Sequence, residues 1–380
     1  MYRWVIGALV LGLGLLTWQA IRARQVTDED KNAEVKETKA DKAYARLMKA
    51  LDAAFDEIDS KEAEKKVRKA YTRKLYDHAT TYPGDKTALE ALLLSVRMTR
   101  PGDEGVRKDA VALLLKDYAK SPHITKAGLK ELNSGFFDPD VTRYLQAVLK
   151  DNPDKVIRAL TAKALVKARE QLVEFIGELK KDAALKKKIE GDLGPVFVKN
   201  LLASEAEYKK QKADYLAKFR GELKGAIPDT LPGAPAPGVE ATDLKGNRAK
   251  VADYKGKVLV VDFWGTFCPP CIKMIPDNRE LVKAMKGRPF AFVSVSADEE
   301  KEALTKFLKD HEMPWDHWWV GSDSKFQKAW EVDGFPTVFV IDHKGVIRYS
   351  QVGYSEEDKI AKEVEKLVKE AEADKKAGKG

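Results

Sequence analysis

Cys268-Pro269-Pro270-Cys271 contains the only two cysteines of the 380-residue chain, three positions apart. Immediately before it runs Val258-Leu259-Val260-Val261-Asp262-Phe263-Trp264, an apolar, β-branched stretch that reads as a buried strand. Immediately after it, Ile272-Lys273-Met274-Ile275 opens a helical pattern. A buried strand that empties into a Cys-x-x-Cys at a helix start is a redox-site geometry. The helix dipole and its unpaired N–H groups stabilise a thiolate on the first cysteine. Two thiols this close can also form a disulfide and reopen it. Half a zinc site is a competing reading, but it needs two more Cys or His ligands at workable spacing. His78, His123, His311, His317 and His343 are scattered, and none pairs with another at ligand spacing. A purely structural disulfide is the other, and bridges that close tiny loops restrict the unfolded chain least. Redox chemistry is favoured, with no metal and no cofactor other than the cysteine pair itself.

From about Pro237 to about Val368 the chain resembles the thioredoxin superfamily, and most closely its exported TlpA/ResA-like branch. The motifs carrying the resemblance are Asp253-Tyr254-Lys255-Gly256-Lys257 ahead of the strand and Phe263-Trp264-Gly265-Thr266-Phe267-Cys268-Pro269-Pro270-Cys271 at the site. Gly334-Phe335-Pro336-Thr337-Val338-Phe339-Val340-Ile341-Asp342, followed by Gly345-Val346-Ile347, completes them. The resemblance implies that Cys268 is the exposed nucleophile and Cys271 the more buried resolving thiol. It also implies a cis peptide bond at Pro336, facing the disulfide across a groove. On residue type alone Pro336 would read as an ordinary strand-initiating proline. Trp264, Phe267, Pro269, Pro270, Phe335 and Thr337 would line the substrate groove, with Trp264 packing beneath the site.

Asp262 lies inside the apolar strand, six residues before Cys268. Desolvation there raises a carboxyl pKa. A raised carboxyl beside a buried thiol is a proton shuttle for Cys271. Thioredoxin has Asp at the matching place, whereas many TlpA-like relatives have Asn. The competing reading is a strand-edge carboxylate satisfied by a lysine such as Lys257. Phe267 stands where many relatives carry Trp, which keeps an apolar wall and loses an indole N–H.

The resemblance implies a thiol:disulfide oxidoreductase acting on protein thiols and disulfides, as a reductant fed by a membrane electron donor. A helical adaptor with a docking domain is the alternative, and the intact cysteine pair argues against it. A peroxidase on a related fold would need Thr three residues before the cysteine, where this chain has Gly265.

At the N-terminus, Val5 to Leu16 is continuously apolar or glycine, and Thr17 to Ile21 extends the run less apolarly. Residues 1–24 therefore read as a signal anchor or a signal peptide. The uncleaved form is favoured, because Ala20 and Ala23 are poor processing sites. Arg22 and Arg24 weaken the positive-inside argument for orientation. The redox motif places the rest of the chain on the periplasmic side of a bacterial membrane, or secreted there after cleavage. Residues 25–42 are charged and apolar-poor and read as a stalk.

Residues 43–225 read as an all-α helical domain, either a repeat array of tetratricopeptide type or a bundle. Tyr44, Leu47, Met48, Leu51, Phe55 and Ile58 make its first stripe. Turns at Pro83, Pro122 and Pro153 suggest the repeat, and a solenoid would offer a groove to a protein partner. The net charge of +8 does not point to nucleic acid, because the lysines are interspersed with acids as on a solvated helix face.

Residues 226–238 carry prolines 228, 232, 235 and 237 and read as a semi-rigid linker. Residues 239–371 read as an α/β thioredoxin-like fold, a central mixed sheet flanked by helices, with strands at 258–263, 290–296, 337–342 and 346–351. Trp315-Asp316-His317-Trp318-Trp319 reads as a core strand with one ring exposed. Residues 372–380 read as a frayed tail. The whole is multidomain.

Overall fold

The computed structural model describes residues 37–99, 105–133, 138–322, 324–355 and 359–378. The expected anchor and most of the stalk lie outside these residues. Among the described residues no helix is long and apolar enough to cross a membrane. The chain divides into two compact units, with the boundary between Ile227 and Pro228.

The first unit is helical. Its helices are α1 (Lys39–Asp56), α2 (Lys61–Thr81), α3 (Lys86–Arg97), α4 (Val106–Leu113, continuing as a π-turn through Tyr118) and α5 (Lys126–Asn133). They are followed by α6 (Pro139–Asp151), α7 (Lys155–Lys181), α8 (Ala183–Leu193), α9 (Pro195–Ala203) and α10 (Glu205–Arg220). The stalk ends earlier than its composition suggests. Thr38 and Asp41 close a reciprocal capping box, so α1 starts at Lys39. Met48, Leu51 and Phe55 of the expected stripe are buried, while Ile58 lies past the helix end. The turns at Pro83, Pro122 and Pro153 each separate two helices. The helices range from 8 to 27 residues, so the regular proline spacing is not accompanied by regular helix pairs. α7 is the longest. It buries Leu172, Phe175, Ile176 and Leu179 against Ile189 of α8 and Val198 and Leu201 of α9.

The second unit is a seven-stranded mixed sheet in the order β2-β1-β5-β4-β3-β6-β7. Its strands are β1 (Ala241–Asp243), β2 (Arg248–Ala249), β3 (Val258–Trp264), β4 (Phe290–Ser296), β5 (Asp316–Trp319), β6 (Thr337–Ile341) and β7 (Ile347–Val352). Its helices are α11 (Pro269–Ala284), α12 (Lys301–Asp310), α13 (Lys325–Ala329) and α14 (Lys359–Lys376). All seven residues of β3 are buried. That is why β3 reads as a continuous apolar run: it is central, parallel to β4, antiparallel to β6, and covered on both faces. Leu259, Val261 and Phe263 face Phe326 and Trp330 on one side. Val258 and Val260 face Met274 and Leu281 of α11 and Val364, Leu367 and Val368 of α14 on the other.

Three features differ from the sequence reading. The proline-rich stretch is not a linker beyond Ile227. Gly233 N donates to Ile347 O (2.7 Å), Ala236 N to Gly345 O (2.9 Å), and Ile347 N to Ala234 O (2.8 Å). Leu231 and Ala234 are buried. Prolines exclude helix, yet they leave the N–H groups between them free to dock an extended segment onto the hairpin. The tail is helical to Lys376, because Glu372 pairs with Arg288 and Asp374 with His343 and Lys344. Asp316–Trp319 of the tryptophan-rich segment form β5, with Trp318 fully buried and Trp319, like Trp315 just before the strand, half-buried rather than exposed.

Candidate active site

β3 ends at Trp264, and the chain turns through Gly265, Thr266 and Phe267 into α11. The turn closes with Cys268 N donating to Gly265 O at 3.1 Å. Cys268 is the N-cap of α11, and Pro269 and Pro270 occupy its first two positions. Proline suits these positions because their N–H groups have no intrahelical partner. Pro269 and Pro270 therefore bring no donors to the first turn, and the N–H of Cys271 is the one aimed at Cys268 Sγ, at 3.3 Å. Cys268 and Cys271 form a disulfide, with Cα atoms 5.3 Å apart.

Both cysteines are buried in this state, 6% and 4% exposed. The expected contrast between an exposed Cys268 and a covered Cys271 is small here. Each sulfur shields the other, and the pair packs in one cluster with Trp264, Ile275, Leu304 and Met313, against which Phe335 also rests.

The Phe335–Pro336 peptide bond is cis. Pro336 immediately precedes β6, and Phe263 pairs with Thr337, so Pro336 lies at the end of the sheet where β3 passes into the cysteine turn. Of the expected groove residues, Phe267, Pro269 and Pro270 are exposed and Phe335 is half-buried. Phe267 and Phe335 meet edge to face with ring centroids 5.9 Å apart. Trp264 and Thr337 do not line a surface. Trp264 is 1% exposed beneath the disulfide, and Thr337 is buried with Oγ1 donating to Gly334 O (2.7 Å). Both point inward because each continues the pleat of a fully buried strand.

Asp262 is buried on β3, on the α11 side between Val260 and Trp264. The competing reading, a strand-edge carboxylate held by Lys257, does not hold: β3 is central, and the partner of Asp262 is Asn278 of α11. Asn278 Nδ2 donates to Asp262 Oδ2 at 3.4 Å, and Oδ1 has no protein partner. Burial pushes the carboxyl up to about 7. A group titrating there can both take and give a proton near neutral pH. Asn278 escapes the sequence reading, yet it lies seven residues after Cys271, two turns along the same helix face. Asp298 escapes it too. It lies two residues past the end of an apolar strand, and such a polar residue just beyond a strand is the available signal.

The sequence of this unit is similar to known proteins. Residues 231–368 match the Redoxin family model. ResA, a thiol-disulfide oxidoreductase of Bacillus cereus, is 29% identical over 135 residues, which is 36% of this chain and 78% of that protein. ResA of Bacillus subtilis (strain 168) is 31% identical over 115 residues, 30% of this chain and 64% of that protein. Among solved structures, the thioredoxin domain of a thiol-disulfide oxidoreductase from Bacteroides vulgatus is 29% identical. It covers 36% of this chain and 98% of its own, with a TM-score of 0.34. A thiol:disulfide interchange protein from Chlorobium tepidum TLS is 26% identical, covering 37% and 99%, with a TM-score of 0.32. The C-terminal unit carries a Redoxin domain of the thiol-disulfide oxidoreductase type.

Proposed function

We propose that the protein is a membrane-anchored, extracytoplasmic thiol:disulfide oxidoreductase that reduces disulfides of protein substrates through Cys268 and Cys271. The observation that carries this reading is the bonded cysteine pair at the start of α11, beside the exposed Phe267 and the cis-proline. In the reduced enzyme the Cys268 thiolate attacks one sulfur of the substrate bridge. The substrate's S–S bond breaks, its other sulfur leaves as a thiolate and takes up a proton, and a mixed disulfide forms. Cys271 then gives its proton to Asp262 and attacks Cys268 Sγ. That restores the internal disulfide and releases the second substrate sulfur, so two electrons have moved to the substrate. A carboxyl with a pKa of about 7 suits the proton transfer, since close matching of acid and base to the working pH favours it.

The apolar run at 5–16 supports the anchor, and the absence of further cysteines fits an oxidising compartment. The helical unit would hold or position protein partners. An electron donor in the membrane would re-reduce the pair.

Reduction of insulin disulfides tests the core of the reading. Cys268→Ser removes the activity, and Cys271→Ser traps a mixed disulfide with substrate. A wild-type protein with no activity would reject the enzyme. The direction is tested by the reduction potential: a value near thioredoxin's, about −270 mV, supports the reductant, and one near about −120 mV reverses the direction.

A further inference from the structure

Asp298 is the buried ionisable group at the cysteine turn that the exchange chemistry leaves without a role. It lies two residues past the end of β4 and is 3% exposed. Its carboxylate is held closely by the turn that leads into Cys268. Thr266 N donates to Oδ1 at 3.0 Å and to Oδ2 at 3.3 Å, and Thr266 Oγ1 donates to Oδ1 at 2.6 Å. Ser296 Oγ donates to Oδ2 at 2.7 Å. The backbone around it is fixed as well. Asp298 N donates to Ser296 Oγ (3.1 Å), Trp319 Nε1 to Asp298 O (2.8 Å), and Ala297 N to Trp264 O (2.9 Å). Every donor to the carboxylate is a neutral group, so the hydrogen bonds hold its charge in place without cancelling it.

Thr266 is two residues before Cys268. One hydrogen bond, two Cα steps of about 3.8 Å and the reach of the cysteine side chain put that charge within about 15 Å of the Cys268 sulfur. A fixed negative charge disfavours a second one nearby. It therefore opposes the helix N-terminus, which stabilises the same thiolate. The oxidised pair has no thiolate to repel, so the effect falls on the reduced form alone.

We propose that Asp298 is a positioning residue whose buried charge, locked against the turn before Cys268, destabilises the reduced pair and makes the domain a stronger electron donor. The inference deepens the reductant reading and rests on it. Asp298 does not touch the reacting sulfurs. It acts through Thr266 and through its field.

The test is equilibration of the full chain with glutathione at pH 7, in which oxidised protein and two glutathiones give reduced protein and one glutathione disulfide. Asp298→Asn keeps the shape and the acceptor for Thr266 and removes the charge, since Ser296 Oγ can turn to accept from the new amide. We expect the equilibrium constant for reducing the protein to rise about tenfold, equivalent to about 30 mV. Alkylation of the reduced Cys268 by iodoacetamide at the same pH should quicken several-fold. Thr266→Val removes one hydrogen bond and keeps the charge, and should move the constant by less than about threefold on the same scale. Asp298→Asn unchanged within twofold overturns the proposal. So does Thr266→Val shifting as far as Asp298→Asn, because turn geometry rather than charge would then set the potential. A wild-type pair that never equilibrates with glutathione rejects the oxidoreductase reading instead, and the alkylation rates still decide the role of Asp298.

Discussion

Arg107 in the helical unit and Asp262 in the Redoxin domain are both buried ionisable side chains, 2% and 5% exposed, in opposite surroundings. All three side-chain nitrogens of Arg107 are engaged. It reaches Asp138 (2.5 Å), Asp140 (3.2 Å), Val96 O (2.6 Å) and both Thr99 O (3.3 Å) and Thr99 Oγ1 (3.1 Å). The end of α3 and the start of α4 are thereby pinned to a segment more than 30 residues on, where Asp138 also caps α6 through the N–H groups of Asp140 and Val141. Asp262 has one long hydrogen bond and one oxygen with no protein partner. A charge that is fully matched fixes a structure. A carboxyl left unmatched in an apolar strand keeps its proton unusually long, which makes it available for transfer. The comparison separates what burial does for packing from what it does for chemistry.

The largest break in that comparison is Arg107→Ala. Removing one partner of a buried ionic cluster leaves Asp138 without its cation and Asp140 with only the exposed Arg143, and opens a cavity, at a cost of about 3–5 kcal/mol. The midpoint of urea unfolding of the helical unit, followed by far-ultraviolet circular dichroism, should fall accordingly. If Arg107→Ala unfolds at the wild-type midpoint, the cluster contributes little to stability.

Asp262→Asn should act in the opposite direction on stability. The folded carboxyl titrates near 7, against an ordinary value of 3.8. Below the ordinary value both states are protonated, and the acid costs nothing. As pH rises from about 4 to 7, the unfolded chain releases the proton and the folded chain keeps it, so wild-type stability falls; above 7 the loss is constant. The variant has no such loss. It should be more stable than wild type by about 2–4 kcal/mol at pH 8 and nearly equal to it at pH 4. Its turnover in insulin reduction should drop by about 100-fold or more, since a positioned proton-transfer group contributes about 100- to 10,000-fold. A stability difference that is the same at both pH values would show that Asp262 titrates normally.

The Redoxin domain is legible in the sequence because its signals are local. Val258–Trp264 is apolar on both faces, the cysteines sit where its helix begins, and Phe335-Pro336-Thr337 opens a second buried strand. Each of these is read within ten residues. Asp298 is illegible for the converse reason: its partner Thr266 is 32 residues away, and only the parallel pairing of β3 with β4 brings them together. The short β1–β2 hairpin, with strands of three and two residues, gives too little period to read. The proline-rich stretch reads as a linker because proline reports backbone conformation and says nothing of what an extended segment docks against. In the helical unit Arg107 looks like any surface arginine, since its two acids come from beyond position 137.

The smallest effect, and the one that isolates the substrate face from the core, is Gly265→Ala. A Cβ at this position would come within 2.7 Å of Phe267 Cζ, nearer than side chains pack. The obstacle is the far part of a ring that is 59% exposed, so the ring can swing aside. Stability should therefore change by less than about 1 kcal/mol, the scale of a displaced rotamer. The swing would separate Phe267 from Phe335, whose rings now meet edge to face next to the disulfide. An edge-to-face pair is worth about 0.5–1.5 kcal/mol beyond its buried area. If a substrate segment rests on that pair, KM for a protein disulfide should rise several-fold while the exchange equilibrium with glutathione, which needs no such surface, stays as in wild type. A KM that does not move would show that the two rings pack against each other without touching the substrate. The apolar face beside Cys268 would then be a lid on the oxidised pair, answering to packing as Arg107 does.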